Sequence, residues 1–345
     1  MGAVSALVRA SCLQSSRSET APAPAAQPVA PTTSYTAAMD YAPLIKEVGR
    51  GARGARDLTR EQAEALFGAM LDGGVPELEL GALLIALRVK GESADEVTGF
   101  LAAMHARTAP MQAPAGPRTV LLPSFNGARR QANLMPLVAG LLAREGVPAL
   151  VFGRHDFDSR VSPFELLDAL GLPASPTLAD AERRLATQRL AVLPLQMLNP
   201  GLNALMALRP RLGVRNSSHS LAKLLDPFPA GRGVRVVAVT HPEYLDSMAA
   251  AMPGLTAPGG RALLMRASEG EAYAHLRRKA HLIGFQDGQA APLHPADTAD
   301  LDWPLPGACA PAENAALIRA MLAGQEPVPP RIAEQVSALR LLATN

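Results

Sequence analysis

The stretch TVLLPSFNGARRQANLMPLVAGLLAREGVPALVFG, from Thr119 to Gly153, limits the possible folds more than any other part of the chain. It reads as a buried strand over Thr119 to Leu122, then a polar turn carrying Asn126, Gly127, Arg129, Arg130 and Asn133. An amphipathic helix and a second buried strand, Ala149 to Phe152, follow. In an open α/β sheet, ligands collect beyond the carboxyl ends of the strands, and a helix amino terminus there favours anions. The turn is therefore the first place to look for function.

The flanking sequence sets out the rest of the expected organisation. Residues 1–38 are rich in Ala, Pro, Ser and Thr and hold too few large apolar side chains to offset the entropy of ordering, which predicts a disordered tail. A targeting peptide is the rival reading, but the apolar VSALV is short, nothing strongly basic precedes it, and Met39 offers an alternative start. Residues 39–110 are helical in period. Thr59 with Gln62 and Ser93 with Glu96 are spaced as capping boxes, and Ala63, Leu66, Phe67, Met70 and Leu71 fall on one helical face. Residues 111–117, MQAPAGP, read as a linker.

Over residues 118–345 helical patterns alternate with short β-branched runs, the pattern of βαβ units and a largely parallel sheet. Further strands are expected over Leu190 to Leu195, Val234 to Val239 and Ala262 to Met265. Helices are expected to begin at Ser162 and near Asn199, Asn216 and Pro242, with a closing pair over Pro311 to Ala323 and Pro330 to Ala343. Between Gly284 and Asp302 the pattern weakens into polar, Pro-containing segments. The fold class is thus α/β with a small all-α N-terminal domain and a central, mostly parallel sheet flanked by helices.

Composition bears mainly on partners. Every apolar run is interrupted by Arg, Glu, Gly or Pro before the roughly 18 residues that a membrane span needs, so no membrane association is expected. The two cysteines, Cys12 and Cys309, are far apart and show neither a disulfide framework nor zinc spacing, which fits a reducing, cytoplasmic setting. Net charge is +2, so only clustering of basic residues could attract a polyanion. Of the 33 basic residues, 29 are arginine, the type suited to bidentate phosphate contact. Three clusters stand out: Lys46, Arg50, Arg53, Arg56 and Arg60; Arg129 and Arg130 on the central turn; and Arg277, Arg278 and Lys279. Charge runs are otherwise solvated faces. Aromatics make up 4% of the chain and do not interleave the basic residues, so base stacking is not indicated. No helix-turn-helix, zinc-finger, Walker or Gly-x-Ser-x-Gly motif occurs, and nothing pairs His155, His219 or His241 with a nucleophile.

LTREQAEALFGAMLDGGVPELELGALLIALRVKGESADEVTGFLAAM resembles the amino-terminal helical domain of anthranilate phosphoribosyltransferases. The likeness continues through LLDALGLP, RPRLGVRNSSHSLAKLLDPF and VTHPEYLDSMAAAM. The resemblance implies a small α domain, a larger α/β domain and a homodimer joined through the helical domains. That family holds the pyrophosphate of phosphoribosyl pyrophosphate on a G-T-G-G-D turn, where missing side chains let backbone N–H groups approach the phosphates. Here Pro123, Ser124, Phe125, Asn126 and Gly127 stand in its place. Pro123 has no N–H and Phe125 adds bulk, so the cradle is expected to be lost.

Of the family's K-H-G-N-R signature only Gly153 remains, while Asn133 and Arg215 match the family's asparagine and its anthranilate-contacting arginine. Ser124, Asn126, Gly127, Asn133, Gly153 and Arg215 are thus the remnant of a ligand pocket. Glu269 and Glu271 lie nearest to the family's magnesium carboxylates, although two carboxylates one residue apart on a loop are more often simply solvated.

SFNGARRQANL, GVRNSSHSLAKL, THPEYL, GGRALLMRASEGEAYA and MDYAPLIKEVGRG resemble a YbiB-type subgroup of the same fold, DNA-binding proteins without the enzyme signatures. This resemblance implies a homodimer binding nucleic acid, DNA above all, without sequence preference, no cofactor and no catalytic residue. The resemblance carries no individual binding residue; clustering of charge nominates Lys46, Arg50, Arg53, Arg56, Arg129, Arg130, Arg277, Arg278 and Lys279. A divergent glycosyl or phosphoribosyl transferase, using magnesium, phosphoribosyl pyrophosphate and an unknown acceptor, is the alternative. A dimeric protein-interaction scaffold is the third possibility.

Overall fold

The computed structural model describes residues 39–344 apart from 52, 155–159, 241, 257, 279–280, 294–299, 305 and 308–309. The tail over 1–38, Cys12, Cys309, His155, His241 and Lys279 lie outside the described residues. The helical part begins with α1 (Tyr41–Val48), α2 (Arg60–Leu71), α3 (Glu77–Lys90) and α4 (Ala94–Ala106). Both capping boxes form as the spacing predicts: Thr59 and Gln62 start α2, and Ser93 and Glu96 start α4. Glu96 does more than cap. Fully buried, it also accepts from the Leu58 N–H at 3.0 Å and from the Lys90 ammonium at 2.6 Å. Phe67 and Phe100, with ring centroids 4.9 Å apart, join α2 to α4.

The sheet follows with β1 (Thr119–Ser124), α5 (Met135–Arg144), β2 (Ala149–Gly153), α6 (Pro163–Ala169), α7 (Leu178–Gln188) and β3 (Leu190–Pro194). Short helices α8 (Leu195–Leu198), α9 (Pro200–Ala207), α10 (Arg209–Leu212) and α11 (Ser218–Leu221) lead to β4 (Gly233–Val239). The chain continues through α12 (Pro242–Thr256), β5 (Arg261–Arg266), β6 (Ile283–Gln286), β7 (Gln289–Pro292), α13 (Pro311–Leu322) and α14 (Pro330–Thr344). Strand order is β3-β2-β1-β4-β5-β6-β7. The first five strands run parallel, and β6 and β7 add an antiparallel edge. Strands that follow β1 go first to one side and then, from β4, to the other, so the topological switch point lies between β1 and β4.

Two departures from the sequence expectations concern α7 and the β6–β7 hairpin. The helix α7 buries only Ala181 and Leu185, too few positions to show a period, and is set by the Thr177 side chain capping the Asp180 N–H. The weak stretch after Gly284 is corrected to a hairpin over its first part. Asp287 (φ +51°) and Gly288 (φ +77°) make its two-residue turn, the left-handed pair that such a connection needs.

Alternation along the strands divides the core. Leu121, Leu150, Phe152, Leu193 and Val237 face one apolar cluster that also contains Phe67, Leu83, Leu87 and Phe100. Val120, Leu122, Val151, Val192 and Val236 face the other, with Leu137, Ile318, Ile332 and Leu339. One face of the sheet therefore shares its core with the helical part. Helix α9 tightens that junction, since a Cβ on Gly201 would collide with the Leu71 carbonyl at the end of α2. Truncating Phe67 or Phe100 to Ala should cost about 3–5 kcal/mol.

Candidate functional site

The turn after β1 sits at the switch point. Ser124 pairs in register with Gly153, and a Cβ on Gly153 would overlap the Ser124 carbonyl, so glycine is required where β1 and β2 end together. Phe125 turns inward, 3% exposed and edge-on to Phe152. Its bulk enlarges the core and leaves the turn's polar side open. Four backbone N–H groups, those of Asn126, Gly127, Arg129 and Arg130, then converge with the Ser124 hydroxyl on one loop, residues 267–274.

That loop supplies two carboxylates. Glu271, fully buried, accepts from Ser124 Oγ (2.8 Å), from the Asn126 N–H (2.9 Å) and from the Gly127 N–H (3.0 Å). Glu269 accepts from the N–H groups of Arg129 (3.2 Å) and Arg130 (3.0 Å), with the Arg160 guanidinium 3.8 Å away. The N–H groups of the turn are thus filled by the protein's own carboxylates, and the expectation that Glu269 and Glu271 are simply solvated is corrected. Glu271 is fully buried, where its donors left unpaired would carry a large desolvation cost. The Glu269 side chain is 12% exposed and paired with the donors at the margin of the turn. Glu271 uses three of the roughly four lone-pair sites of a carboxylate on these donors, and Glu269 accepts from two N–H groups. No group of three or more His, Cys, Asp or Glu side chains among the described residues could hold a metal ion.

Positive charge surrounds the buried carboxylate. The Arg215 guanidinium donates to the Asn126 side-chain oxygen, and the Lys223 ammonium donates to the Ala238 carbonyl. Burial pushes the Glu271 carboxyl up from its ordinary value, opposed by its hydrogen bonds and by Lys223. Burial, with Arg215 adding, pushes Lys223 down to about 8. His219, buried beside Asn216, is pushed down to about 4 by burial first and Arg215 second, and is neutral near pH 7.

The remnant-pocket residues Ser124, Asn126, Gly127, Gly153 and Arg215 come together here. Asn133 does not join them: its side chain donates to the Val161 carbonyl and caps Met135 N–H at the start of α5. Arg129 and Arg130 are exposed above the turn. Arg277 and Arg278, also exposed, stand beyond the far end of the same loop, where both N–H groups bond His275 and the Arg277 side chain bonds the Trp303 carbonyl. The N-terminal cluster is partly neutralised, because Arg50 and Arg56 both face Glu47, at 3.2 and 3.9 Å. Lys46 and Arg53 are exposed and without an ion pair among the described residues.

Sequence reasoning missed a further convergence. Burial first, then the charges of Arg209, Arg160 and Arg88, pull Arg215 below its ordinary value, so four arginines from separate segments share one field. Arg154 adds to it, acting on His219 together with Arg215 and Arg209. The excess of arginine is the only signal in the sequence, since convergence of Arg88 with Arg215 exists only in space. Next to this cluster a cavity of about 620 Å³ opens beyond β2 and β3, lined by Gly153, Arg154, Asp168, Pro194, Gln196 and Asn203.

A helical unit joined to a mostly parallel sheet, with a candidate site at the β1/β4 switch point, is a doubly wound α/β arrangement with an added helical domain. Residues 42–108 match the helical bundle domain of the glycosyl transferase family. The structure of anthranilate phosphoribosyltransferase from Thermus thermophilus superposes with a TM-score of 0.70 at 27% identity, covering 89% of each chain. The enzyme from Saccharomyces cerevisiae in complex with PRPP and Mg shares the fold, with a TM-score of 0.63 at 15% identity over 88% of this chain and 86% of that one. The Escherichia coli (strain K12) protein YbiB is 42% identical over 312 residues, 89% of this chain and 95% of that protein. The chain therefore belongs to the YbiB family, on the anthranilate phosphoribosyltransferase scaffold.

Proposed function

We propose that the protein binds nucleic acid, DNA above all, by its phosphate backbone and without reading bases. The observation that carries this reading is the division of donors at the turn. Backbone N–H groups that could hold a small phosphate are taken by Glu269 and Glu271, while the Arg129 and Arg130 side chains on the same turn remain exposed. Guanidinium groups in a row neutralise successive phosphates and release counterions, which supplies most of sequence-independent affinity. Arg88, Arg154, Arg160, Arg209 and Arg215 extend the positive field into the cleft. Titrating unrelated DNA duplexes at increasing salt tests this: binding at about 50 mM salt that weakens steeply and equally for all sequences is expected.

The proposal includes a homodimer in the cytoplasm. Helix α3 exposes Leu78 (82%), Ile85 (38%) and Val89 (72%) along one stripe, and a second copy covering it would double the basic surface about a two-fold axis. Light scattering of the wild type beside Leu78→Glu with Val89→Glu tests the dimer.

A second reading, a divergent glycosyl or phosphoribosyl transferase, is supported by the scaffold itself and by the cavity beyond β2 and β3. Calorimetry with phosphoribosyl pyrophosphate and magnesium tests it, and no heat at millimolar ligand excludes that donor.

A further inference from the structure

We propose that loop 267–274 is a built-in anion, an autoinhibitory contact in which Glu269 and Glu271 keep a cradle for diphosphate-class anions filled from within. The inference is independent of the nucleic-acid reading. Successive backbone N–H groups turned to one side of a bend form an anion-binding nest, and here Gly127 at φ +63° makes the bend. The carboxylates spend their oxygens on five donors, three for Glu271 and two for Glu269. Arg215 and Lys223 on the inner side and Arg160 on the outer add the positive field that an anion needs.

The loop is built for the task. A bridge between Ala267 and Ala274 closes it, and Gln335 clamps its far end through the Ala274 N–H (2.8 Å) and the Ala272 carbonyl (2.9 Å). Its tip bends back through Glu269 at φ +51°, a conformation uncommon for a residue with a side chain, and Gly270 at φ +83°. The Asn126 side chain closes on the Gly270 carbonyl at 3.1 Å, so close that a Cβ on Gly270 would meet it. A preset loop that delivers two carboxylates to five donors excludes small phosphate anions from the interior and leaves only the outer guanidinium groups to meet phosphate.

Calorimetric titration with inorganic pyrophosphate tests this on the full-length chain. Wild type should bind weakly or not at all at millimolar ligand. Glu269→Ala, at the margin of the site where its side chain is 12% exposed, should bind at least about tenfold more tightly, and adding Glu271→Gln should increase the gain. If the double variant fails to fold, Glu269→Ala and Glu269→Gln decide alone. Glu326→Ala, on the exposed connection between α13 and α14, controls for net charge and should behave as wild type. The proposal is overturned if folded Glu269 variants titrate like wild type, if wild type already binds as tightly as they do, or if Glu326→Ala gives the same gain. DNA binding by the wild type stands or falls separately, in its own titration.

Discussion

The inner and outer sides of the turn after β1 present the same kind of group, a donor for phosphate, and meet opposite fates. On the inner side, N–H groups of Asn126, Gly127, Arg129 and Arg130 end on buried or nearly buried carboxylates. On the outer side, the guanidinium groups of Arg129 and Arg130 have no carboxylate partner among the described residues and stand in solvent. On a scaffold whose relatives bear the name phosphoribosyltransferase, the inner donors of this turn are taken by the chain's own carboxylates. What differs is reach: a backbone N–H serves only an anion that enters the cleft, whereas an exposed arginine serves one that never does.

The sharpest way to break this comparison is to remove the inner carboxylate. Glu271→Ala strands three donors and the charges around them, and should cost about 3–5 kcal/mol in a urea melt, the usual result of breaking a buried charged network. Glu269→Ala should cost under about 1 kcal/mol, because its donors can turn to water. Similar costs for the two would mean that Glu271 is no more a structural member than its neighbour.

His219 gives a smaller effect with a defined sign. Its pKa is lowered in the folded state to about 4 from an ordinary 6.5, so the unfolded chain binds the proton first as pH falls. Stability is therefore undiminished above pH 6.5 and is lost between 6.5 and 4, by about 2–3 kcal/mol at pH 4.5. His219→Gln should flatten that limb of a pH series of thermal melts.

Charge reversal on the outer side should leave stability within about 0.5 kcal/mol. Arg129→Glu with Arg130→Glu should nonetheless weaken DNA binding at least about tenfold, alike for all sequences. Arg88→Ala with Arg209→Ala should give a smaller, severalfold loss, and Lys46→Ala with Arg53→Ala the smallest. A reversed order would move the nucleic-acid surface from the cleft to the helical part.

Legibility from sequence follows the range of the interaction that fixes each feature. Both capping boxes join residues three apart, and the five parallel strands are buried on both faces, so both could be read directly. The β6–β7 hairpin has only four residues to a strand, too few to show a period, and its one local signal, Asp287–Gly288, lies in a stretch that reads as irregular. The position of the turn is legible because strand, turn and helix are contiguous. Its occupant is not: Glu271 reaches Ser124 across 147 residues, and no local pattern distinguishes a carboxylate bound for a nest from one bound for solvent. The meeting of Arg88, Arg160, Arg209 and Arg215 is hidden for the same reason.

The most direct test of the outer-side account is the salt dependence of DNA affinity for wild type beside Arg129→Glu with Arg130→Glu. The account predicts a steep, sequence-indifferent log–log slope for wild type that becomes shallower by about two in the variant, as lost phosphate contacts require. A wild type that fails to bind near about 50 mM salt, or slopes that coincide, would contradict it.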